Sequence, residues 1–310
     1  MGFEETRTLR TATGATLRLY VEPAGKARGV VQINHGLAEH AGRYGRFARY
    51  LAGRGFHAVA HDHRGHGETA APGAPLGSFG PEPAAENVLA DVLAVHDHIA
   101  TEHPGLPVIL FGHSMGAMIA LAFLAQHSRR VRGVALWNMP LASGVEARAA
   151  RAALAWERFR LGSDVPSRLL PQLTFGAWAK AITDAQTPFD WLSRDRAEVE
   201  RYAADPLCGW PPTVAMWRDV FDFNLMITAR RALQAIPREM PIQLVGGGAD
   251  PSTKHGEIML RLARRLRRSG FSNLQTRIYP ENRHESLNEL NREEVMRDFA
   301  AWADKLPAGR

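Results

Sequence analysis

From Leu17 to Asn138, short apolar runs alternate with stretches whose apolar residues recur every three or four positions. Leu17–Val21, Val30–Asn34, Phe56–His61, Pro107–Phe111 and Val131–Trp137 read as strands. Between them, Arg43–Arg54 places Phe47, Tyr50 and Leu51 on one helical stripe, and Glu86–Glu102 does the same with Val88, Leu89, Val92, Leu93, Val95 and Ile99. Met115–Leu124 is apolar all round, the pattern of a buried helix. Strands joined by helical crossovers predict a mostly parallel sheet covered on both faces. The alternation stops between about Ser143 and Ile236. An Ala/Arg-rich run over 145–161, segments broken by Pro166 and Pro171, and helical patterns over Arg194–Tyr202 and Val214–Leu225 fill this stretch. It then resumes with a strand at Pro241–Gly246, a helix over 256–268, a strand at Thr276–Tyr279 and a closing helix over Glu293–Leu306. The pattern predicts an α/β core in two parts, 1–142 and 237–310, interrupted after its sixth strand by a helical cap or lid insertion, 143–236.

Composition narrows the partners. The chain has 310 residues and a net charge of +6, but its basic residues are spread along the sequence. The one dense cluster, Arg261, Arg264, Arg265, Arg267 and Arg268, falls on a predicted helix, with Leu260, Leu262, Ala263 and Leu266 turned to the core. No nucleic-acid-binding motif accompanies this charge, so no nucleic-acid partner is expected. A single cysteine, Cys208, excludes an intrachain disulfide and reads as a buried packing thiol. Residues 1–16 are charged and polar, without the apolar stretch of a signal peptide, and no window has the length and apolarity of a membrane span. The expected location is cytoplasmic.

The chemistry is concentrated at Gly112-His113-Ser114-Met115-Gly116, which lies between an apolar strand and an apolar helix. That is the context a G-x-S-x-G nucleophile elbow requires, with the serine on a turn too tight for side chains at the flanking glycines. A serine nucleophile needs a base, and the base an orienting carboxylate, in chain order Ser, acid, His. The loop after the 241–246 strand presents Asp250, and the loop after the 276–279 strand presents His284. Asp62, His63 and His66 precede the serine, His255 follows Asp250 too closely, and Asp97 and His98 sit on a flanking helix. The expected catalytic residues are therefore Ser114, Asp250 and His284. Oxyanion stabilisation needs main-chain donors: the N–H of Met115, at the start of the helix, and that of Leu37, in the His35-Gly36-Leu37 loop. The histidines of His61-Asp62-His63-Arg64-Gly65-His66-Gly67 lack a second cluster to complete a metal site. Gly246-Gly247-Gly248 lacks the spacing of a dinucleotide fingerprint. No metal or cofactor is called for.

The ordered set HGLAEH (35–40) with Arg43-Tyr44, HDHRGHG (61–67), GHSMG (112–116), the Asp250 loop and the His284 loop resembles the monoacylglycerol lipase and lysophospholipase branch of the α/β-hydrolase fold. Residues 192–207, with Arg194, Glu198, Val199 and Asp205-Pro206-Leu207, resemble that family's cap segment, and the likeness runs from about residue 10 to 305. It implies an eight-stranded, mostly parallel sheet with a helical cap, the triad Ser114, Asp250 and His284, and oxyanion donors Leu37 and Met115. Ala117 stands where the family often has a second glycine, and Thr69 where it often has serine.

Five of the seven tryptophans, Trp156, Trp178, Trp191, Trp210 and Trp217, fall within the insertion, with Phe159, Phe175, Phe189, Phe221 and Phe223. Most are expected to build the insertion's own core and a few to face the pocket. Such a cap over a serine nucleophile suits a small-molecule ester or lipid: a monoacylglycerol- or lysophospholipid-like ester, with transient contact between cap and membrane surface. A short- or medium-chain carboxylesterase, a thioesterase or an acyltransferase would use the same triad. A non-enzymatic lipid-binding protein would be favoured by a substituted triad, and none of the three positions is substituted.

Overall fold

A computed structural model describes residues 2–142, 144–229 and 232–306. Ser143, where the insertion is expected to begin, lies outside the described residues. The strands are β1 (Glu5–Arg10), β2 (Thr16–Glu22), β3 (Gly29–Asn34), β4 (Phe56–His61), β5 (Val108–His113), β6 (Gly133–Trp137), β7 (Ile242–Gly247) and β8 (Leu274–Tyr279). They form one sheet in the order β1-β2-β4-β3-β5-β6-β7-β8. β1/β2 and β2/β4 pair antiparallel, and every later pairing is parallel. β3, β5, β6 and β7 are buried along their whole length, as strands covered on both faces must be. β1, with the sequence ETRTLR, is polar on both faces and lies at an edge, so it carries no apolar pattern to betray it.

The helices are α1 (Gly45–Ala52), α2 (Ala84–Glu102), α3 (Met115–His127), α4 (Gly144–Leu161), α5 (Leu170–Leu173), α6 (Phe175–Lys180), α7 (Arg196–Ala204), α8 (Val214–Thr228), α9 (Glu257–Arg268) and α10 (Arg292–Ala303). α1 and α10 cover one face, where Phe47, Phe111, Trp137 and Phe299 pack ring against ring. α2, α3 and α9 cover the other, joined by Phe223 and Ile227 of α8. The arginines of α9 line its solvent side as expected, whereas Leu260 is exposed, and Ile258 and Met259 take its place against the sheet. No helix among the described residues is long and apolar enough to cross a membrane.

α4 to α8 lie between β6 and β7 and contain no strand among the described residues. α8 belongs to two packings at once: Val214 and Trp217 join Leu154 and Leu170 of the insertion, while Met216, Val220 and Phe223 join the core beside α3. The crossover from β3 runs to β4 on one side and that from β5 to β6 on the other, so the sheet's winding reverses between the adjacent strands β3 and β5. Crevices at such a reversal, outside the carboxyl ends of the strands, are where ligands bind in open α/β sheets.

Candidate active site

The carboxyl end of β5 runs straight into Ser114, whose backbone sits at φ 54° and ψ −118°. A side chain rarely adopts such angles; the turn is held there by its surroundings. A Cβ on Gly112 would come within 2.3 Å of Gly116 O, and one on Gly116 within 2.2 Å of Asn34 O, so both flanking positions require glycine. α3 begins at Met115, so the Met115 N–H falls among the first-turn donors that no helix carbonyl can satisfy.

β7 and β8 end in the loops that carry Asp250 and His284. The Asp250 carboxylate is fully buried and receives Asn138 Nδ2–H at 3.0 Å, Ser252 N–H at 2.9 Å, Ser252 Oγ–H at 2.7 Å and Thr253 Oγ1–H at 2.9 Å. Burial alone would raise its pKa. The neighbouring His284 and the hydrogen bonds from His284, Asn138 and Ser252 overcome that and hold the carboxyl at about 2. Being ionised, it can only accept, so the proton at His284 Nδ1, 3.0 Å away, belongs to the imidazole. Ser252 Oγ lies 2.8 Å from the same nitrogen. The ring is thereby fixed with Nε2 as its basic nitrogen.

Ser114, His284, Leu37 and Met115 line one cavity of about 70 Å³, enough for roughly two water molecules. The structure thus brings together all five residues expected from sequence, with Asp250 behind His284. A second cavity of about 450 Å³ lies next to it. Met118, Pro140, Trp178, Trp217 and Val220 line both and form the wall between them. Of the five tryptophans in the insertion, Trp178, Trp191 and Trp217 face the small cavity, and Trp191 and Trp217 are at the same time members of buried clusters of the insertion. Trp156 is 54% exposed and serves neither site nor core.

A buried charge network underlies the site. Glu39 accepts Gly36 N–H at 2.6 Å, Tyr44 O–H at 2.9 Å and Arg43 Nη1–H at 2.6 Å. Arg43 also donates twice to Glu285, at 2.6 Å each. His113 reaches Glu39 through Nδ1 at 3.3 Å and the His284 carbonyl through Nε2 at 3.1 Å. Burial would push the Glu39 carboxyl up, but Arg43 and His113 hold it well below the usual range; burial would push His113 down, but Glu39 raises it. Glu39, Arg43, Glu285 and His113 tie the Leu37, Ser114 and His284 loops together.

His35, His61, His63 and His66 are all buried, with the rings of His35 and His63 4.5 Å apart and those of His61 and His63 4.6 Å apart. His35 Nε2 accepts the His63 N–H at 3.0 Å, so these histidines pack the loop below the site. Among the described residues, one group brings three donors within 4.8 Å of one another, as a metal would need: His40, Asp205 and the buried Cys208. Sequence reasoning missed Asn138, Ser252, Thr253 and the Glu39–Arg43–Glu285 set. Ser252 and Thr253 were signalled by the Asp-Pro-Ser-Thr turn, in which an aspartate bonds the backbone two residues on. Glu39 and Arg43 stood within the quoted motif without an assigned role.

A family model described as serine aminopeptidase, S33, matches residues 25–291. Monoglyceride lipase of Homo sapiens is 29% identical over 248 residues, covering 79% of this chain and 73% of its own. Monoacylglycerol lipase of Mycolicibacterium smegmatis is 28% identical over 282 residues, covering 89% and 88%. Among solved structures, a thermostable carboxyl esterase from Bacillus coagulans, in complex with glycerol, superimposes with a TM-score of 0.85 at 26% identity over 99% of each chain. With a family match spanning both parts of the sheet and the helices between them, the chain belongs to the serine aminopeptidase S33 family of α/β hydrolases.

Proposed function

We propose that the protein is a serine hydrolase that cleaves carboxyl esters of a long apolar acyl chain and a small polar head, monoacylglycerol- or lysophospholipid-like, through an acyl-enzyme on Ser114. His284 Nε2 takes the Ser114 Oγ proton as Oγ attacks the ester carbonyl. The Leu37 and Met115 N–H groups hold the tetrahedral oxyanion. His284 returns the proton to the departing alcohol, leaving the acyl group on Ser114. A water, deprotonated by His284, then attacks the acyl carbon, and the fatty acid leaves as Ser114 recovers its proton. The observation that carries this reading is the bond set from Asp250 through Nδ1 of His284, ending in the cavity that also holds the strained Ser114.

The family description names an aminopeptidase, and the named relatives are lipases. An aminopeptidase must pair a substrate ammonium with a carboxylate. The two carboxylates lining the small cavity, Glu39 and Glu285, are both committed to Arg43. The rest of its lining is dominated by Met118, Phe175, Trp178, Trp191 and Trp217, which favours an acyl chain over a peptide terminus. The helical insertion, 143–236, acts as a cap. At the end of α4, the exposed Trp156 and Phe159 beside Arg158 and Arg160 give the cap an apolar, cationic tip suited to a membrane surface. The cytoplasm, where Cys208 stays a thiol, is the compartment this reading assigns.

Fluorophosphonate labelling of Ser114, with a panel of p-nitrophenyl esters, monoacylglycerols, lysophospholipids and a thioester, tests the reaction and its leaving group. Labelling without ester turnover would remove the reading. At about 70 Å³ the small cavity is too small for a long chain, and the 450 Å³ cavity beyond Trp178 is the room this reading assigns to the acyl group. Trp178→Ala is therefore expected to raise the decanoate-to-acetate ratio of kcat/KM about tenfold or more, since each added buried methylene is worth up to about 0.8 kcal/mol. A ratio within twofold of the parent would mean that the chain takes another path.

A further inference from the structure

Asp190 to Arg194, in the loop before α7, runs along the loop that carries His284. The His284 N–H donates to the Trp191 carbonyl at 3.3 Å, and the Glu285 N–H to the Leu192 carbonyl at 2.7 Å. Arg283 Nη1 donates to the carbonyls of Asp190 and Ser193 at 2.7 and 3.2 Å, and Ser193 Oγ to the carbonyl of Asn288 at 2.8 Å. Arg194 closes the set with its own N–H and Nε–H on Glu289, at 3.1 and 2.9 Å. Backbone and side chains of the insertion are thus joined to the His284 loop as one strand is joined to its neighbour.

The Trp191 side chain lies at the centre of this seam. It is 5% exposed, and its ring centroid is 4.9 Å from that of His284. Phe175 stacks on the indole at 5.9 Å with planes 15° apart, and Trp178 lies 4.9 Å away, so the indole is wedged in place. Two other rings lie beside His284: Trp178, stacked at 6.4 Å, and His113, at 4.8 Å, which Glu39 holds toward its charged form. A cation at that distance opposes the charge His284 gains when it takes the serine proton, whereas an indole attracts it: a cation within about 6 Å of a tryptophan ring is stabilised, most strongly where water is excluded. The attraction is absent while His284 is neutral, so it acts on the transition state and not on substrate binding.

We propose that Trp191 is a positioning residue of the reaction, holding the base His284 from the insertion's side and stabilising its imidazolium. The stretch 190–194 is then part of the base's own support, and only the remainder of the insertion is free to serve as a lid. The inference rests on the reading of His284 as the base.

Trp191→Leu and Trp191→Phe, measured with His284→Ala on acetate and decanoate esters, test it. Trp191→Leu is expected to lower kcat about 30-fold, the loss corresponding to a desolvated cation–π contact, and by the same factor for acetate and decanoate esters. Trp191→Phe, which keeps an aromatic face and the main-chain carbonyl, is expected to lie within fivefold of the parent. A Trp191→Leu kcat within twofold of the parent overturns the proposal. So does a loss that appears in KM and grows with chain length, which would make Trp191 a wall of the acyl site only. If Trp191→Leu does not fold, the same criteria pass to Trp191→Phe and Trp191→Tyr, where kcat values more than 30-fold below the parent for both overturn it. An active His284→Ala would instead bring down the assignment of the base, an outcome that the Trp191 variants do not mimic.

Discussion

Ser114→Ala, His284→Ala and the double variant are expected to fall to nearly the same ester turnover, about 10⁴-fold or more below the parent, because nucleophile and base act as one unit. The residual activity of each would come from the Leu37 and Met115 donors and from binding, which these substitutions leave in place. Asp250→Asn should cost nearly as much, roughly 10³- to 10⁴-fold, because an amide can present its NH₂ to Nδ1 and turn the imidazole to the wrong tautomer. Ser252→Ala should cost only severalfold: it removes one of two acceptors at Nδ1, and Asp250 Oδ2 at 3.0 Å still holds the ring. Single-turnover kinetics with a p-nitrophenyl ester, and melting curves to confirm folding, separate these cases. A Ser114→Ala protein within tenfold of the parent would show that another group attacks the ester. Equal losses in Ser252→Ala and Asp250→Asn would mean that the serine is the true orienting partner.

The sheet was legible because its central strands carry their signal in plain form. β3 and β5 are buried on both faces, as strands under two helical layers must be, and apart from Gln32 and Asn34 the runs Val30–Asn34 and Pro107–Phe111 are apolar. β1 was not, because an edge strand exposed on both faces carries no hydrophobic pattern. α1 was anticipated two residues early because Ala41–Tyr44 forms a tight 3₁₀ turn before the helix proper. α5 and α6, of four and six residues, are too short for periodicity to register. In the site, Ser114, Asp250 and His284 could be ordered from strand ends alone, since each follows a strand and its chemistry needs no neighbour to be named. Asn138, Glu39, Arg43 and Trp191 act through contacts between segments far apart in sequence. Arg43 meets Glu285 across 242 residues, a pairing that no local pattern encodes. The same limit applies to the tryptophans. Aromatic residues can be counted along the insertion, but which of them close over Ser114 is decided by how α6 and α8 pack.

Stability is expected to fall as pH drops from 7.5 to 5.5, because four buried histidines resist protonation in the folded chain. Burial lowers the pKa of His35 and His61 to about 3, and those of His63 and His66 well below the ordinary value. In the unfolded chain all four would titrate near the ordinary 6.5. Their stabilisation is therefore fully present above that value and is lost as pH falls toward the folded values, because the unfolded state then binds protons that the folded state cannot. Each residue contributes roughly 1 kcal/mol or a little more to the loss over this interval, so the four together contribute about 5 kcal/mol. His96, lowered mainly by burial to about 4, adds in the same direction. His113 and Asp219 act oppositely: Glu39 raises the folded pKa of His113 and burial raises that of Asp219 to about 8, so both take up protons in the folded chain and together offset about half of the loss. A net loss of about 3 kcal/mol is a sizeable part of the 5–15 kcal/mol typical of a folded protein. It should lower the melting temperature by roughly 5 °C. Urea unfolding at pH 7.5, 6.5 and 5.5 measures it directly. His61→Leu, which removes a ring whose two nitrogens are both buried without a partner, should reduce the loss by one histidine's share, roughly 1 kcal/mol. A parent protein whose unfolding midpoint stays constant across this range would show that the histidines protonate in place, and that the loop they pack opens to water at each step.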